Sequence, residues 1–366
     1  MNNNDYFLVL DSTEEYLNNL SKSEKYKYYP CMEGRTDYGN KLELGFSTFA
    51  LKILKMLGKV DEASNNELID WANFLNSFQT SNYKEIPNNF YVDPQIAKSY
   101  VNLSTNDLIK DQIKKVLNIA SKKYDTNLIK FKKSVNAETK QTISTLNEIG
   151  FTNNLNIKIS NDISKLNKEL KNLNWDKPWS AGGQFSTYCV YSDTQKLGLN
   201  GELYDFASSM VNNTTGSYYK NTPKSNREII NGAMKVISGL AWIDKEIHYP
   251  KKLIDFCLKN KPILEGCDVV DYVYVLFMCS QQIDYKKKDI NIVLMNTLDE
   301  LMKLYKKEEK GFSYFINKSQ THYYGVQISQ GKDCADIQST TLCVWAIIMI
   351  LKNNEILDNR YKTIKP

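Results

Sequence analysis

Apolar residues recur at three- and four-residue steps in four segments of the chain, with polar and charged residues between them. These segments are residues 46–57, 68–78, 109–120 and 294–305. The spacing is typical of amphipathic helices, each with one face toward water. Gly58 is a natural C-terminal stop for the first segment, and Ser104 and Thr105 are capping candidates for the third.

Three further segments are apolar almost all round, namely residues 233–243, 269–279 and 342–351. A helix of this kind is surrounded by protein. Residues 269–277 are rich in Val and Tyr and could form a buried strand, since periodicity does not separate the two structures over so short a run. We predict a helix there because the segments on both sides form helical hairpins.

The alternation of amphipathic and buried segments predicts two concentric layers of helices, with an outer ring around an inner one. At about 30 residues for each helix and its loop, the chain supplies about twelve helices. We therefore expect an all-α, (α/α)6 toroid of six hairpins, formed as a single domain by residues 1–366. Residues 1–41 are expected to be an N-terminal extension. Residues 121–173, rich in Lys, Asn and Ser, are expected to form peripheral helices with solvated faces.

Composition excludes several classes of protein. The 366 residues include 47 Lys and Arg against 42 Asp and Glu, a net charge of +5 that is too small to argue for nucleic-acid binding. Residues 342–351 form the longest apolar run, far short of the roughly 20 residues that span a bilayer. We expect no secretory signal, because residues 1–5 show no basic segment followed by an apolar core. Seven cysteines without a C-x-x-C pair indicate reduced thiols and a cytoplasmic location.

Two loop-to-helix junctions combine acidic residues with the start of a buried helix. Asp268 and Asp271 lie in the first junction and Asp336 in the second. Aspartates at such positions often only cap a helix. Asp271 differs, because it falls inside an apolar segment, where a buried carboxyl needs partners or acquires a raised pKa. His322 precedes the second junction and could reach the same opening of the ring, or it could be an ordinary loop residue.

A third junction, residues 175–186, carries Trp175, Trp179 and Gln184 around a Pro and a double Gly. The flat, partly polar face of a Trp suits a sugar ring. The alternative interpretation is a tight turn between helices in which the Trp side chains pack. Tyr323 and Tyr324, next to His322, are further candidates for contact with a substrate.

Some of these segments resemble a known superfamily. Glu265-Gly266-Cys267 and the stretch 336–340, each followed by a buried helix, resemble the zinc-site helices of the protein prenyltransferase β subunit. Residues 74–79, with Phe90 and Asp93 after them, and Gly311-Phe312 resemble the hairpin repeats of terpenoid cyclases and prenyltransferases. The resemblance implies an (α/α)6 toroid.

The chain departs from that superfamily at both of its signature sites. Glu265 stands where the zinc enzymes have Asp, Cys267 is kept, and Ser339 stands where they have His. The Asp-x-Asp-Asp motif of class II terpenoid cyclases is absent. We therefore expect no zinc and no other cofactor.

The toroid is shared, by resemblance, with many glycoside hydrolases and polysaccharide lyases, and the 24 Tyr and 5 Trp of this chain suit a polar ligand. We therefore expect a carbohydrate-active enzyme with a glycan or small-molecule substrate. In hydrolysis, Asp271 is the expected acid, Asp336 its partner and Asp268 a further candidate. A lyase needs a base, for which Tyr323 or His322 is the candidate. Non-zinc isoprenoid chemistry and a non-catalytic toroid that binds a glycan or a protein remain alternatives.

Overall fold

The computed structural model describes residues 3–101, 103–121, 124–263 and 265–366. Within these ranges the chain is mostly helical and has three short antiparallel hairpins. The helices are α1 (Asn3–Leu20), α2 (Asp37–Lys41), α3 (Leu44–Met56), α4 (Asn65–Asn76), α5 (Pro94–Val101), α6 (Thr105–Ser121), α7 (Asn127–Glu148), α8 (Ile163–Asn172), α9 (Pro178–Thr194), α10 (Asn200–Met210), α11 (Asn226–Trp242), α12 (Pro250–Lys259), α13 (Gly266–Gln282), α14 (Lys287–Met302) and α15 (Ile337–Asn353). The paired strands are β1 (Gln79–Thr80) with β2 (Phe90–Tyr91), β3 (Tyr305–Lys306) with β4 (Gly311–Phe312), and β5 (His322–Tyr323) with β6 (Val326–Gln327).

The helices α3, α7, α9, α11, α13 and α15 form a closed inner ring. Each packs against the next in chain order, and α15 packs against α3 to complete the circle. The helices α1, α4, α5, α10, α12 and α14 lie against the outside of this ring. The fold is thus the all-α toroid that the sequence predicts, and residues 269–277 are helical as expected.

Contacts between neighbouring inner helices show that they run parallel. Asn231 of α11 bonds to Asp268 of α13, and one turn further along both helices Lys235 pairs with Asp271. When each inner helix is parallel to the next, the N-terminal ends of all of them lie together at one end of the ring. We call this end the mouth.

Glycines set the distance between α9 and α11. A Cβ atom built on Gly182 would lie 3.0 Å from the carbonyl oxygen of Gly232, and one built on Gly232 would lie 2.5 Å from the Cβ of Pro178. Further along, a Cβ on Gly239 would lie 3.0 Å from the Sγ of Cys189. The small residues of this junction thus serve helix packing, in addition to any contact of α9 with a ligand.

The loop between α14 and α15 lies at the mouth. It contains both hairpins β3–β4 and β5–β6, and the tight turn of the second has Tyr324 and Gly325 in the left-handed region, with φ of 43° and 85°. A glycine is favoured at the second of these positions because it has no Cβ to clash. The backbone carbonyl of Tyr324 accepts hydrogen bonds from Tyr100 at 2.9 Å and from Ser134 at 3.1 Å, which attaches the turn to α5 and α7.

Three segments differ from the arrangement expected from sequence. Helix α7 belongs to the inner ring, whereas residues 121–173 were expected to be peripheral. Half of its ten buried residues are Thr or Ser, which pack closely but give the sequence no continuous apolar stripe. Helix α3 is an inner helix rather than an outer one. The apolar side of α6 is exposed to solvent.

Among the described helices, none combines the length and apolar character that crossing a membrane requires.

The glycine contact between α9 and α11 gives a test of the ring. Gly232→Ala is expected to lower the free energy of unfolding by about 1–3 kcal/mol, because the new methyl group overlaps Pro178. Gly183→Ala, on the same pair of helices, is the matched control, since no described atom outside its own helix backbone lies within 4 Å of its Cβ position. The control is expected to be neutral or to stabilise by up to about 1 kcal/mol. Denaturant unfolding measures both, and equal effects would contradict the close packing.

Candidate active site

Asp271 is a buried carboxyl group near the start of α13. Its Oδ1 lies 3.5 Å from the Nζ of Lys235, while its Oδ2 has no hydrogen-bond partner among the described residues. Burial, with a contribution from the charge of Asp268, raises the pKa of Asp271 to about 6, although Lys235 and Lys140 oppose the shift. The group can therefore exchange a proton near neutral pH, as a general acid requires.

Three lysines come from different inner helices, and one of them, Lys140, is near enough to the other two and to Asp271 for their charges to shift its pKa. They are Lys52 of α3, Lys140 of α7 and Lys235 of α11. Burial, followed by the positive charges of Lys235 and Lys52, lowers the pKa of Lys140 to about 7. Burial lowers the pKa of Lys52 to about 8, and its Nζ donates to Ser144 at 3.4 Å. With Asp271, these residues form a cluster in which cations outnumber carboxylates, and which suits a ligand with negative charge.

Asp268 lies one helical turn before Asp271 and is held by Arg227 and Asn231. Its Oδ2 lies 2.6 Å from the Nε of Arg227, and its Oδ1 accepts a hydrogen bond from Asn231 at 2.7 Å. Arg227 also lies 5.4 Å from the centre of the Trp179 ring. Trp179 is half-buried, so this Trp, Arg227 and Asp268 together form one wall of the mouth.

Asp336 serves as the N-cap of α15. Its Oδ1 accepts from the backbone nitrogen of Ser339 at 2.8 Å, and its Oδ2 accepts from the Ser339 hydroxyl at 2.8 Å and from the backbone nitrogen of Gln320 at 3.0 Å. Burial raises the pKa of Asp336 to about 6, although these hydrogen bonds oppose the shift. The bonding is that of a capping residue that also fastens a loop.

The residues at the zinc-site positions do not form a ligand set for zinc. Glu265 pairs with Arg227 at 3.4 Å, and the Ser339 hydroxyl is bonded to Asp336. Burial raises the pKa of the Cys267 thiol to about 11. Among the residues that the structure describes, no three His, Cys, Asp or Glu side chains are grouped to hold a metal ion.

A second acidic cluster lies between α3, α7 and the β5–β6 hairpin. Asp93 accepts hydrogen bonds from the backbone nitrogens of Glu43 at 2.8 Å and Leu44 at 3.0 Å, at the start of α3. Glu138 is buried beside Asp93 and Tyr323, and burial raises its pKa well above the ordinary value. Tyr323 is itself buried, with the ring of Phe46 5.8 Å away. This cluster joins the loop to the ring.

The remaining predicted residues fall in different places. Tyr324 is half-buried at the mouth, and its hydroxyl donates to the Oε1 of Gln141 at 3.2 Å. Trp175 is buried in the outer layer, where its indole nitrogen donates to Leu170, as the packing interpretation predicts. His322 is exposed and bonds to the adjacent Thr321, as an ordinary loop residue does. Gln184 lines a separate cleft of about 480 Å³ between α7, α8 and α9.

The structure thus brings Asp268, Asp271, Trp179 and Tyr324 to the mouth. The sequence prediction missed Lys52, Lys140, Lys235 and Glu138. A signal was available for two of them, because Lys52 interrupts the apolar run of α3 and Lys235 interrupts that of residues 233–243. Lys140 and Glu138 had no such signal, since they lie in a polar stretch that gives no indication of an inner helix.

No protein-family model matches the chain, and no curated protein matches it either. Among solved structures, the chain is similar to one described as glycosyl hydrolase family 88 from Bacteroides vulgatus. The sequence identity is 11% and the TM-score 0.44, over 97% of this chain and 99% of that one. Values this low assign no activity or substrate to this chain.

Asp271→Asn and Asp336→Asn are expected to change stability in opposite directions. The raised pKa of Asp271 means that its ionised form costs stability above about pH 6, a cost that disappears toward pH 4, where the unfolded chain is also protonated. Asp271→Asn should therefore stabilise by up to about 2 kcal/mol near pH 8 and by less near pH 5. Asp336→Asn keeps one capping oxygen but places an NH2 donor where Oδ2 accepts from Ser339 and Gln320. The loss of these two hydrogen bonds should destabilise by about 1–3 kcal/mol.

Denaturant unfolding of both variants at the two pH values measures these changes. Asp205→Asn, the same substitution at an exposed position, is the control and should have little effect. A loss of stability in Asp271→Asn as large as that in Asp336→Asn would show that Asp271 is also a structural residue.

Proposed function

We propose that the protein is a carbohydrate-active enzyme of the glycoside hydrolase or lyase type, with its active site at the mouth of the ring. The observation that carries the proposal is Asp271, a buried carboxyl group with a pKa of about 6 and an oxygen that no described residue bonds. Trp179, beside Arg227, and Tyr324, beside Gln141, are half-buried aromatic residues of the kind that contact sugar rings.

In hydrolysis, Asp271 is the general acid and protonates the leaving glycosidic oxygen. Asp268 is the second carboxylate, one turn away on the same helix, and Arg227 and Asn231 hold it in place. It acts as nucleophile or as base toward water. Asp336, the partner expected from sequence, takes a positioning role in this proposal, because its oxygens already accept three hydrogen bonds.

In elimination, the enzyme needs a base instead of a second carboxylate. Lys140 has a pKa of about 7, so a large fraction of its amine is neutral at physiological pH. It fits this role better than Tyr323, whose pKa burial raises well above the ordinary value, or His322, which is exposed and bonded within its own loop. The positive charges of Lys52 and Lys235 favour a substrate with an acidic substituent in either reaction.

The charged side chains at the mouth argue against a hydrocarbon substrate. An isoprenoid funnel would be lined by residues such as Leu, Phe and Met. Here the half-buried side chains include Lys235, Cys267, Tyr314 and Tyr324. The polar ligand of the proposal fits this lining better.

Turnover of a panel of neutral and acidic oligosaccharides tests the proposal. The mass of the products distinguishes hydrolysis, which adds one water, from elimination, which adds none and leaves a double bond that absorbs in the ultraviolet. We expect turnover of acidic glycans and a rate that falls as the pH rises through about 6, because the acid loses its proton. If no glycan in the panel is turned over, the proposal is wrong.

Substitution of Asp271 tests its place in the mechanism. Asp271→Asn is expected to lower kcat by about 10²–10⁴-fold, since the amide has no acidic proton to transfer. Asp205→Asn should retain full activity, because its side chain is exposed on the outer helix α10. Lys235→Met is expected to raise KM for acidic glycans more than for neutral ones. If Asp271→Asn retains full activity, Asp271 is not the general acid.

A further inference from the structure

Helix α6 presents its apolar side to solvent. The side chains of Leu108, Ile109, Ile113, Val116 and Ile119 are 50%, 54%, 54%, 65% and 85% exposed. On a helix these positions share one face. Soluble proteins rarely leave a continuous apolar surface of this kind without a binding partner.

The polar side of α6 faces the protein instead. Asp111 is buried, and its Oδ1 accepts a hydrogen bond from the backbone nitrogen of Asn127 at 2.6 Å, at the start of α7. Asn118 exchanges two hydrogen bonds with the backbone of Tyr124, at 2.7 Å and 2.9 Å. These bonds join the polar side of α6 to the turn that follows it and to the start of α7, and leave the apolar face outward.

Positive charge is concentrated around this face. Residues 105–133 contain eight Lys and three Asp, a net charge of +5 that equals the net charge of the whole chain. By helical position, Lys110 and Lys115 lie at the two borders of the apolar face. Lys115 remains 53% exposed although it pairs with Asp111. Leu128, at the start of α7, is a further exposed apolar residue, with 43% of its surface accessible.

The exposed apolar face and the positive charge around it together indicate the kind of surface that α6 binds. An apolar face bordered by lysines, with the acidic residues on the opposite side, is the arrangement of helices that lie in the interface of a bilayer with negatively charged lipids. A second copy of the chain would bring an equal positive charge to the contact, which disfavours self-association through this face. We propose that α6 docks the protein on the surface of an anionic lipid membrane.

The docking face lies at the same end of the ring as the mouth. Helix α6 leads into the N-terminal end of α7, and Ser134 of α7 bonds to Tyr324 at the mouth. A membrane bound to α6 is therefore near the candidate active site. The proposal does not depend on the proposed function, because its test needs no substrate.

Co-sedimentation of the full chain with vesicles tests the docking. We expect binding to vesicles of three parts phosphatidylcholine to one part phosphatidylglycerol, and at least about tenfold weaker binding to phosphatidylcholine alone, because a lysine near an anionic surface contributes about 1 kcal/mol. Binding should weaken as salt is added. Equal binding to both vesicles, or binding to neither, overturns the proposal.

Substitutions identify the surface that binds. The double variant Ile113→Asp/Val116→Asp should lose at least about tenfold in binding to the anionic vesicles, with an unchanged circular dichroism spectrum. Ile292→Asp is the matched control, since Ile292 is 61% exposed on the outer helix α14 and should not affect binding. Lys110→Gln/Lys115→Gln should reduce the preference for anionic vesicles. If the double variant instead converts a dimer to a monomer and leaves vesicle binding intact, the face is a self-association surface and the proposal is wrong.

Discussion

The parallel packing of six inner helices determines where each polar group of the candidate site lies. Because α15 packs against α3, the ring is closed, and the N-terminal ends of its parallel helices lie together at one end. Asp268 and Asp271 enter from α13, Arg227 and Lys235 from α11, and Trp179 from α9. Gly182 and Gly232 let α9 and α11 approach closely enough for the circle to close. The site is thus a consequence of helix packing.

The electrostatics of the mouth separate two kinds of buried acid. Asp336 and Asp271 both have a pKa raised to about 6 by burial, but only Asp336 has its oxygens occupied by Ser339 and Gln320. A buried carboxyl with an unused oxygen reduces stability, and proteins retain such groups where a reaction needs them. The same reasoning applies to Lys140, which is held among other cations at a pKa of about 7. Bonding, and not burial alone, therefore distinguishes a residue available for chemistry from one that holds the fold.

Helix α6 differs from the helices of the ring in which of its side chains are buried. In the ring, apolar surface is buried against neighbouring helices, which is the main source of stability. In α6 the buried contacts are polar, and the apolar side chains remain in water at a cost to the free protein. Contact with a lipid surface removes that cost. Since this helix leads into α7, the interface and the mouth belong to the same end of the molecule.

The sequence by itself determined the class of fold and part of the site. Residues 233–243, 269–279 and 342–351 are apolar on almost every side, which indicates elements surrounded by protein, and Asp271 was recognisable because it interrupts such a segment. The position of α7 could not be predicted, because Thr and Ser are as suitable for a solvated face as for a tightly packed one, and only the neighbouring helices decide between them. The capping role of Asp336 depends in part on Gln320, and the cluster of Lys52, Lys140 and Lys235 joins residues from three helices. Such contacts leave no local pattern in the chain, so the tertiary structure alone decided them.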